Sequence, residues 1–294
     1  MVPFSNRSTV LVLSIAKSRC QYEKNIRSMC LTSQLLHETS HQDRPQTGQN
    51  GGNDDTFENA FARNFIPTTF LQRALLSIGS ASISLANPAR GDMIATLGET
   101  TGSCALQMML QNMENSTEGS SILSEKPRIN SETLNIKKLQ SMPEGSLGKA
   151  YSNFLLINGV SPDTRAPVQF VEDVELAYVM QRYREAHDLI HTILQMRTNM
   201  LGEVTVKWVE AIQTKLPMCI GGAVFGSIRL SKKQRQKYIT NYLPWAIKTG
   251  WESKFLLNIY FEKRWDQSLE ELQRELNIEP LELEKETYVR AVLK

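Results

Sequence analysis

From residue 57 to residue 276 apolar side chains recur at helical spacing, and nowhere do they alternate with the period of two that a half-buried strand requires. That pattern limits the fold more than any other feature. Every apolar stripe belongs to a helix, and such stripes are buried by packing helix on helix. The expected class is therefore all-α, a single helical domain with no internal repeat. At 41% hydrophobic and 22% charged, the composition is that of a globular chain, and 294 residues suffice for one sizeable domain. A net charge of +2 lacks the basic footprint of a nucleic-acid binder, so no nucleic-acid partner is expected. The cysteines Cys20, Cys30, Cys104 and Cys219 have no C-x-x-C spacing, which argues against a zinc ribbon.

The N-terminus departs from this pattern. Up to Leu36 the basic residues are Arg7, Lys17, Arg19, Lys24 and Arg27, and the only acid is Glu23. This Arg- and Ser-rich, acid-poor stretch reads as a mitochondrial transit peptide over residues 1–36. The run Val10-Leu11-Val12-Leu13 is short, and charge follows rather than precedes it, which disfavours a secretory signal. Residues 37–56 are rich in Gln, Gly, Asn and Asp and read as a disordered linker. The helical domain is expected over 57–280, and residues 281–294 as a loose tail.

Within the domain, a helix is expected to begin at residues 66–69 and to stop at Asn87-Pro88. Residues 93–113 read as helical with a break at 98–102. Residues 116–143 read as irregular, and 149–158 as helical. A long helix over 173–196 carries Val174, Ala177, Tyr178 and Tyr183 on its apolar side. Further helices are expected over 203–213, 238–249, 254–261 and 269–276. The apolar run that starts at Pro217 ends at Ser227, short of the ~20 residues needed to span a bilayer. Beyond it Arg229, Lys232, Lys233, Arg235 and Lys237 cluster. They read equally as a solvated helix face or as a contact with an anionic membrane, where each base is worth about 1 kcal/mol.

The chemistry concentrates in Arg184-Glu185-Ala186-His187-Asp188-Leu189-Ile190-His191. The chain has four histidines, and two of them stand here, one helical turn apart on one face. Two imidazoles at that spacing can grip one metal ion without bending the backbone. Asp188 lies about 100° around from His187, near enough to lend an oxygen or to hold the site from behind. Glu203 would be about 18 Å beyond His191 on an unbroken helix. Residues 197–202 contain Asn199 and Gly202, however, and read as a turn that folds Glu203 back to the histidines. His37 and His41 share the spacing but lie in the polar linker, and are read as solvated.

These residues resemble a known family. Pro88-Ala89-Arg90-Gly91-Asp92-Met93 with Leu97-Gly98-Glu99-Thr100-Thr101-Gly102 is similar to a motif of the mitochondrial coenzyme Q (ubiquinone) biosynthesis proteins numbered four in that pathway. So are residues 143–148, 161–167 and 181–185, the H-D-x-x-H-x₁₁-E signature and Arg264-Trp265. The chain departs from the family at Ala89 and Gly91, both turn positions. The resemblance implies Zn²⁺ held by His187, Asp188, His191 and Glu203. It implies a peripheral place on the matrix side of the mitochondrial inner membrane, and a role in organising the other enzymes of the coenzyme Q complex. It also implies a lyase that removes the C1 carboxylate of a polyprenylated 4-hydroxy-3-methoxybenzoate; in the chemistry fitted to that reaction, Asp188 or Glu203, if free of the metal, moves the proton.

Other readings remain beside that one. A scaffold that holds polyprenylated quinone precursors and partner enzymes around a structural metal would show closed coordination, whereas an enzyme would keep a position open. Oxidative loss of the carboxylate would call for iron, which also suits two histidines and a carboxylate. A His-Asp phosphohydrolase would draw a further histidine from an upstream helix, and only His37 and His41 lie upstream. For the polyprenyl tail, the helices over 65–85 and 106–113 are the expected greasy walls.

Overall fold

The structure, a computed structural model, describes residues 56–88 and 90–282. Residues 1–55, which hold the leader and nearly all of the linker read from the sequence, lie outside the described residues, as do residues 283–294 of the tail.

Among the described residues there is no strand. The helices, in order, are α1 (Phe57–Asn64), α2 (Phe70–Ala86), α3 (Gly91–Thr101), α4 (Ser103–Glu114), α5 (Thr117–Glu125), α6 (Ile136–Gln140) and α7 (Leu147–Asn158). They continue with α8 (Val174–Ile193), α9 (Met200–Thr214), α10 (Pro217–Gly226), α11 (Lys232–Lys237), α12 (Leu243–Glu252) and α13 (Leu269–Glu275). Starts are set by side chains that take up free amides of the first turn: Thr69 and Gln72 form a reciprocal box on α2, and Asp173 caps α8.

The fold is arranged around α8. Residues 177–193 are all buried, and α1, α4, α5 and α7 pack against it. Beside it, α9 packs on α10 and α12, while α2 and α3 form a hairpin whose second helix meets α10. At that contact a Cβ on Gly98 would run into the Met218 side chain. The glycine is there for close packing, so α3 runs straight through it and the break falls only at Gly102.

A helix buried on every side is expected to be apolar. α8 is not: Gln181, Arg182, Arg184, Glu185, His187, Asp188 and His191 are all inside. An unpaired charge there costs several kcal/mol, so each must find a partner. Arg182 forks onto both carboxylate oxygens of Glu262 and reaches the Ile259 carbonyl at 3.1 Å. Arg184 meets Glu99 at 2.5 Å and the Ala95 carbonyl at 3.0 Å. Glu185 accepts from Arg128, the Ile129 amide and Gln181, each at 2.8 Å.

Two stretches differ from the expectation. Residues 254–261 form short 3₁₀ turns, not an amphipathic helix. Leu256, Leu257, Ile259, Tyr260 and Phe261 are all buried, which no single helix face could achieve. The backbone is instead held from outside: the Leu256 amide donates to Gln213 and the Tyr260 amide to Glu118. Residues 116–143 are more ordered than composition suggested, because Ser116 and Asn135 cap α5 and the single turn of α6.

Candidate metal centre

The turn between α8 and α9 builds the site. After Ile193 the chain enters the left-handed region at Gln195, φ 50°, and the Met196 amide returns to the His191 carbonyl at 2.9 Å. Asn199 then caps α9 by accepting from the Gly202 amide at 2.9 Å. A Cβ on Gly202 would collide with the Arg197 carbonyl, so the reversal needs glycine there. α9 begins at Met200, which puts Glu203 in its first turn, facing back toward α8.

Glu203 Oε2 lies 3.7 Å from His187 Nε2 and 3.5 Å from His191 Nε2. Ligand atoms of the three residues fall within 4.8 Å of one another. The hydrogen bonds behind the rings fix what faces this point. His191 Nδ1 is 3.0 Å from the Met196 carbonyl, which can only accept, so the proton sits on Nδ1. Its Nε2 is buried without a hydrogen-bond partner, and in the neutral ring it is a bare lone pair. His187 Nδ1 is 2.6 Å from Glu210 Oε1, an arrangement that likewise turns Nε2 inward. Two imidazole nitrogens and a carboxylate aimed at one spot repel unless a cation joins them. Donors about 2.1 Å from a tetrahedral ion lie about 3.4 Å apart, close to the two separations between Glu203 and the histidines. The residues therefore fit a divalent metal.

Without an ion, protons take the place of the cation. Burial raises the Glu203 carboxyl, but His187 and His191 outweigh it and hold the group well below the usual carboxylate range. Burial and Lys207 oppose protonation of His187, yet Glu210 and Glu203 prevail and lift it above its ordinary 6.5.

Asp188, the fourth residue of the sequence signature, is placed differently. Its Oδ1 accepts from Arg165 at 2.6 Å, and it is not part of the group that could share an ion. Arg165 is held charged by this carboxylate in spite of burial, and its Nε is buried without a partner.

Sequence reasoning missed the support behind His187. Glu210, 2% exposed, accepts from Tyr183 at 2.7 Å and from Lys207 at 2.6 Å through Oε2, while Oε1 serves His187. Cys219 Sγ is 3.0 Å from the Tyr183 hydroxyl, and burial pushes this thiol up to about 12. A signal was present: Glu203, Lys207 and Glu210 stand at i, i+4 and i+7, one face of α9.

The site is open on the side of Glu203, whose side chain is 36% exposed, while His191 is wholly enclosed. Glu203 and Lys207 belong to the wall of a cavity of about 570 Å³ between α2, α3, α9 and α10. The rest of that wall is mostly apolar and runs from buried Val204 and Met218 to exposed Leu85, Phe225 and Ile228. Leu85 lies within the expected 65–85 wall. The expected 106–113 wall is elsewhere: Leu106, Met109 and Met113 are fully buried in the core.

The family model described as Coenzyme Q (ubiquinone) biosynthesis protein Coq4 matches residues 63–282. The chain belongs to the Coq4 family. Among relatives called "Ubiquinone biosynthesis protein COQ4 homolog, mitochondrial", that of Bombyx mori is 57% identical over 223 residues, 76% of this chain and 86% of its own. The Aedes aegypti protein is 50% identical over 253 residues, 86% of this chain and 92% of its own. The human protein is 55% identical over 213 residues, 72% of this chain and 80% of its own. A crystal structure from Nostoc punctiforme, described in terms of ubiquinone biosynthesis, superposes with a TM-score of 0.56 at 19% identity. It covers 68% of this chain and 95% of that one, a likeness of fold. Membership of the Coq4 family places the chain in ubiquinone biosynthesis.

Proposed function

We propose that the chain is a Zn²⁺-dependent carbon–carbon lyase that removes the C1 carboxylate of a polyprenylated 4-hydroxy-3-methoxybenzoate. The observation that carries this reading is the contact between a three-donor cation site and an apolar cavity, with Glu203 belonging to both. His187, His191 and Glu203 hold the ion. Asp188 stays beside the ion on Arg165, which leaves the fourth position to the cavity. A cation there polarises a substrate oxygen or a water. A side open to the cavity suits catalysis better than a closed structural site.

The chain's own groups supply the rest. The cavity takes the polyprenyl tail along Leu97, Val204, Met218 and Phe225. With the phenol deprotonated, electron density reaches the ring carbon that bears the carboxylate. That carbon takes a proton, delivered through whichever of Asp188 and Glu203 is free of the metal, and CO₂ departs with the bonding pair returned to the ring.

The place of action in this reading is the mitochondrion, peripheral to the matrix side of the inner membrane, where the chain also organises the other enzymes of the coenzyme Q complex. The relatives named mitochondrial and the acid-poor N-terminal composition support the compartment. No helix among the described residues is long and apolar enough to cross a membrane. A peripheral contact is supported by α2, where Phe70 is 89% exposed and Leu71 and Ile78 are each 67% exposed. Near the cavity, exposed Phe225 and Ile228 adjoin the solvent-facing bases Arg229, Lys232 and Lys233. That combination of apolar and basic surface suits anionic lipid.

The test is to replace His191 by Ala and Glu203 by Gln separately, measure bound metal, and analyse quinone precursors in cells. The expected result is loss of metal and accumulation of precursors that keep their carboxylate. If the carboxylate still leaves while the enzyme assembly falls apart, the lyase assignment is wrong, and the chain is a lipid-binding scaffold around a structural metal.

A further inference from the structure

Behind the histidine pair lies a second buried cluster that the proposed chemistry does not use: Tyr183, Lys207, Glu210 and Cys219. Its centre is Glu210, one of whose carboxylate oxygens faces His187 while the other receives Tyr183 and Lys207. We propose that Glu210 is a positioning residue of the metal centre: it holds the proton of His187 on Nδ1 and aims Nε2 at the ion, with Tyr183 and Lys207 clamping it in place. The inference rests on the reading of His187, His191 and Glu203 as metal ligands.

The two imidazoles face the ion alike but are held by unlike means. His191 is oriented by a backbone carbonyl, Met196, inside the tight turn that follows α8. That acceptor comes with the fold and cannot be lost by substitution. His187 has no such turn at its back. Its ring stands nearly perpendicular to that of His191, at 84°, and the group at its Nδ1 is a side chain from the neighbouring helix. Glu203 and Glu210 are two turns apart on α9, so one face of one helix supplies both a ligand and the partner that aims another ligand.

The surroundings of Glu210 are built for this. A carboxylate 2% exposed would be costly alone, and the Lys207 ammonium at 2.6 Å and the Tyr183 hydroxyl at 2.7 Å meet that cost. Both crowd Oε2, which leaves Oε1 to His187. A carboxylate behind a ligating imidazole fixes the tautomer and raises the basicity of the metal-facing nitrogen, and its loss typically weakens metal binding by about 10- to 100-fold.

The rival account is a plain buried ion pair between Glu210 and Lys207, with His187 an incidental neighbour. The full-length chain separates the two. Zinc affinity is measured by competition with a chromogenic chelator for wild type, Glu210→Gln and the double variant Glu210→Gln with Lys207→Met. Glutamine leaves Lys207 buried without its counter-charge, and the double variant removes that burden. Both variants are expected to lose about 10- to 100-fold in zinc affinity. In zinc-loaded wild type labelled with ¹⁵N-histidine, long-range ¹H–¹⁵N spectra are expected to show His187 protonated at Nδ1.

Wild-type affinity in the double variant would mean that Glu210 merely neutralises Lys207, and the proposal falls. A His187 ring protonated at Nε2 in the zinc-loaded protein overturns it without any substitution, so a variant that fails to fold does not shield it. Wild type that takes up no zinc removes the metal-site reading and this inference with it. Zinc held equally by wild type and Glu210→Gln removes only the role of Glu210.

Discussion

Residues 181–185 and residues 187–191 occupy consecutive turns of one buried helix, and apart from Asp188, which pairs with Arg165, their polar groups are handled in opposite ways. In the first stretch each charge is matched by an opposite one: Arg182 by Glu262, Arg184 by Glu99, Glu185 by Arg128. Backbone groups supplement those pairs, as the Ile129 amide does for Glu185. In the second stretch two imidazole nitrogens point at a carboxylate that also lacks a proton to share, and His191 Nε2 has no hydrogen-bond partner. The difference separates structural charge from functional charge by an observable property. A network that serves the fold sets an opposite charge beside each charge, even where Arg182 Nε is left without a hydrogen-bond partner, whereas a network that serves a ligand turns its acceptors on one point. Arg182 is as deeply buried as His191, so burial alone does not tell the two apart.

The comparison breaks most sharply if metal binding survives loss of a donor. Glu203→Gln should reduce metal content by more than the roughly 10- to 100-fold that loss of an orienting partner costs, as measured by elemental analysis of the purified protein. Above the folded pKa of His187, stability of the metal-free protein should hardly change, since the amide relieves a carboxylate facing two lone pairs. A large fall in metal-free stability would place Glu203 with the structural charges.

The converse experiment addresses the closed stretch. Glu262→Gln leaves the Arg182 guanidinium, wholly enclosed, without a counter-charge. The expected cost is about 3–5 kcal/mol in urea denaturation, with metal affinity of the folded protein unchanged. A variant that lost zinc but kept its stability would join the two stretches into one network and undo the distinction.

The sequence carried the open half better than the closed one. The spacing of His187 and His191 and the turn at Asn199 and Gly202 are local, and both survive in the structure: the turn folds and Glu203 returns to the pair. The partners of the closed half are distant in sequence. Glu262 lies 80 residues from Arg182 and Glu99 lies 85 from Arg184, so neither pairing has a local signature. For the same reason α8 read as one-sided. An arginine in a helical pattern looks like a solvated face until its carboxylate is known. Residues 254–261 were misread through a related ambiguity. Leu256, Leu257 and Tyr260 suit a helix stripe, but Ile259 and Phe261 beside them are buried too, and the Leu256 and Tyr260 amides are taken by Gln213 and Glu118. The class itself was legible because it depends on periodicity alone.

Acidity offers the finest test, because only the open half meets protons near neutrality. Arginine keeps its charge throughout that range. His187 does not. Its pKa lies above 6.5 in the folded, metal-free chain because Glu210 and Glu203 overcome burial and Lys207. A raised folded value means that the protonated ring stabilises the metal-free protein fully below 6.5, and that this contribution disappears as pH rises through the folded value. Zinc needs the same ring deprotonated at Nε2, so its stabilisation grows as the proton's declines. The gap in unfolding free energy between zinc-loaded and metal-free protein should therefore widen with pH, by about 1.4 kcal/mol per unit for each proton displaced, up to the folded value. Glu262→Gln should leave that slope intact while lowering both curves together. A gap that stays flat from acid to neutral pH would mean that zinc and the His187 proton do not compete for one nitrogen. His187 would then belong with the closed, structural charges of the turn before it.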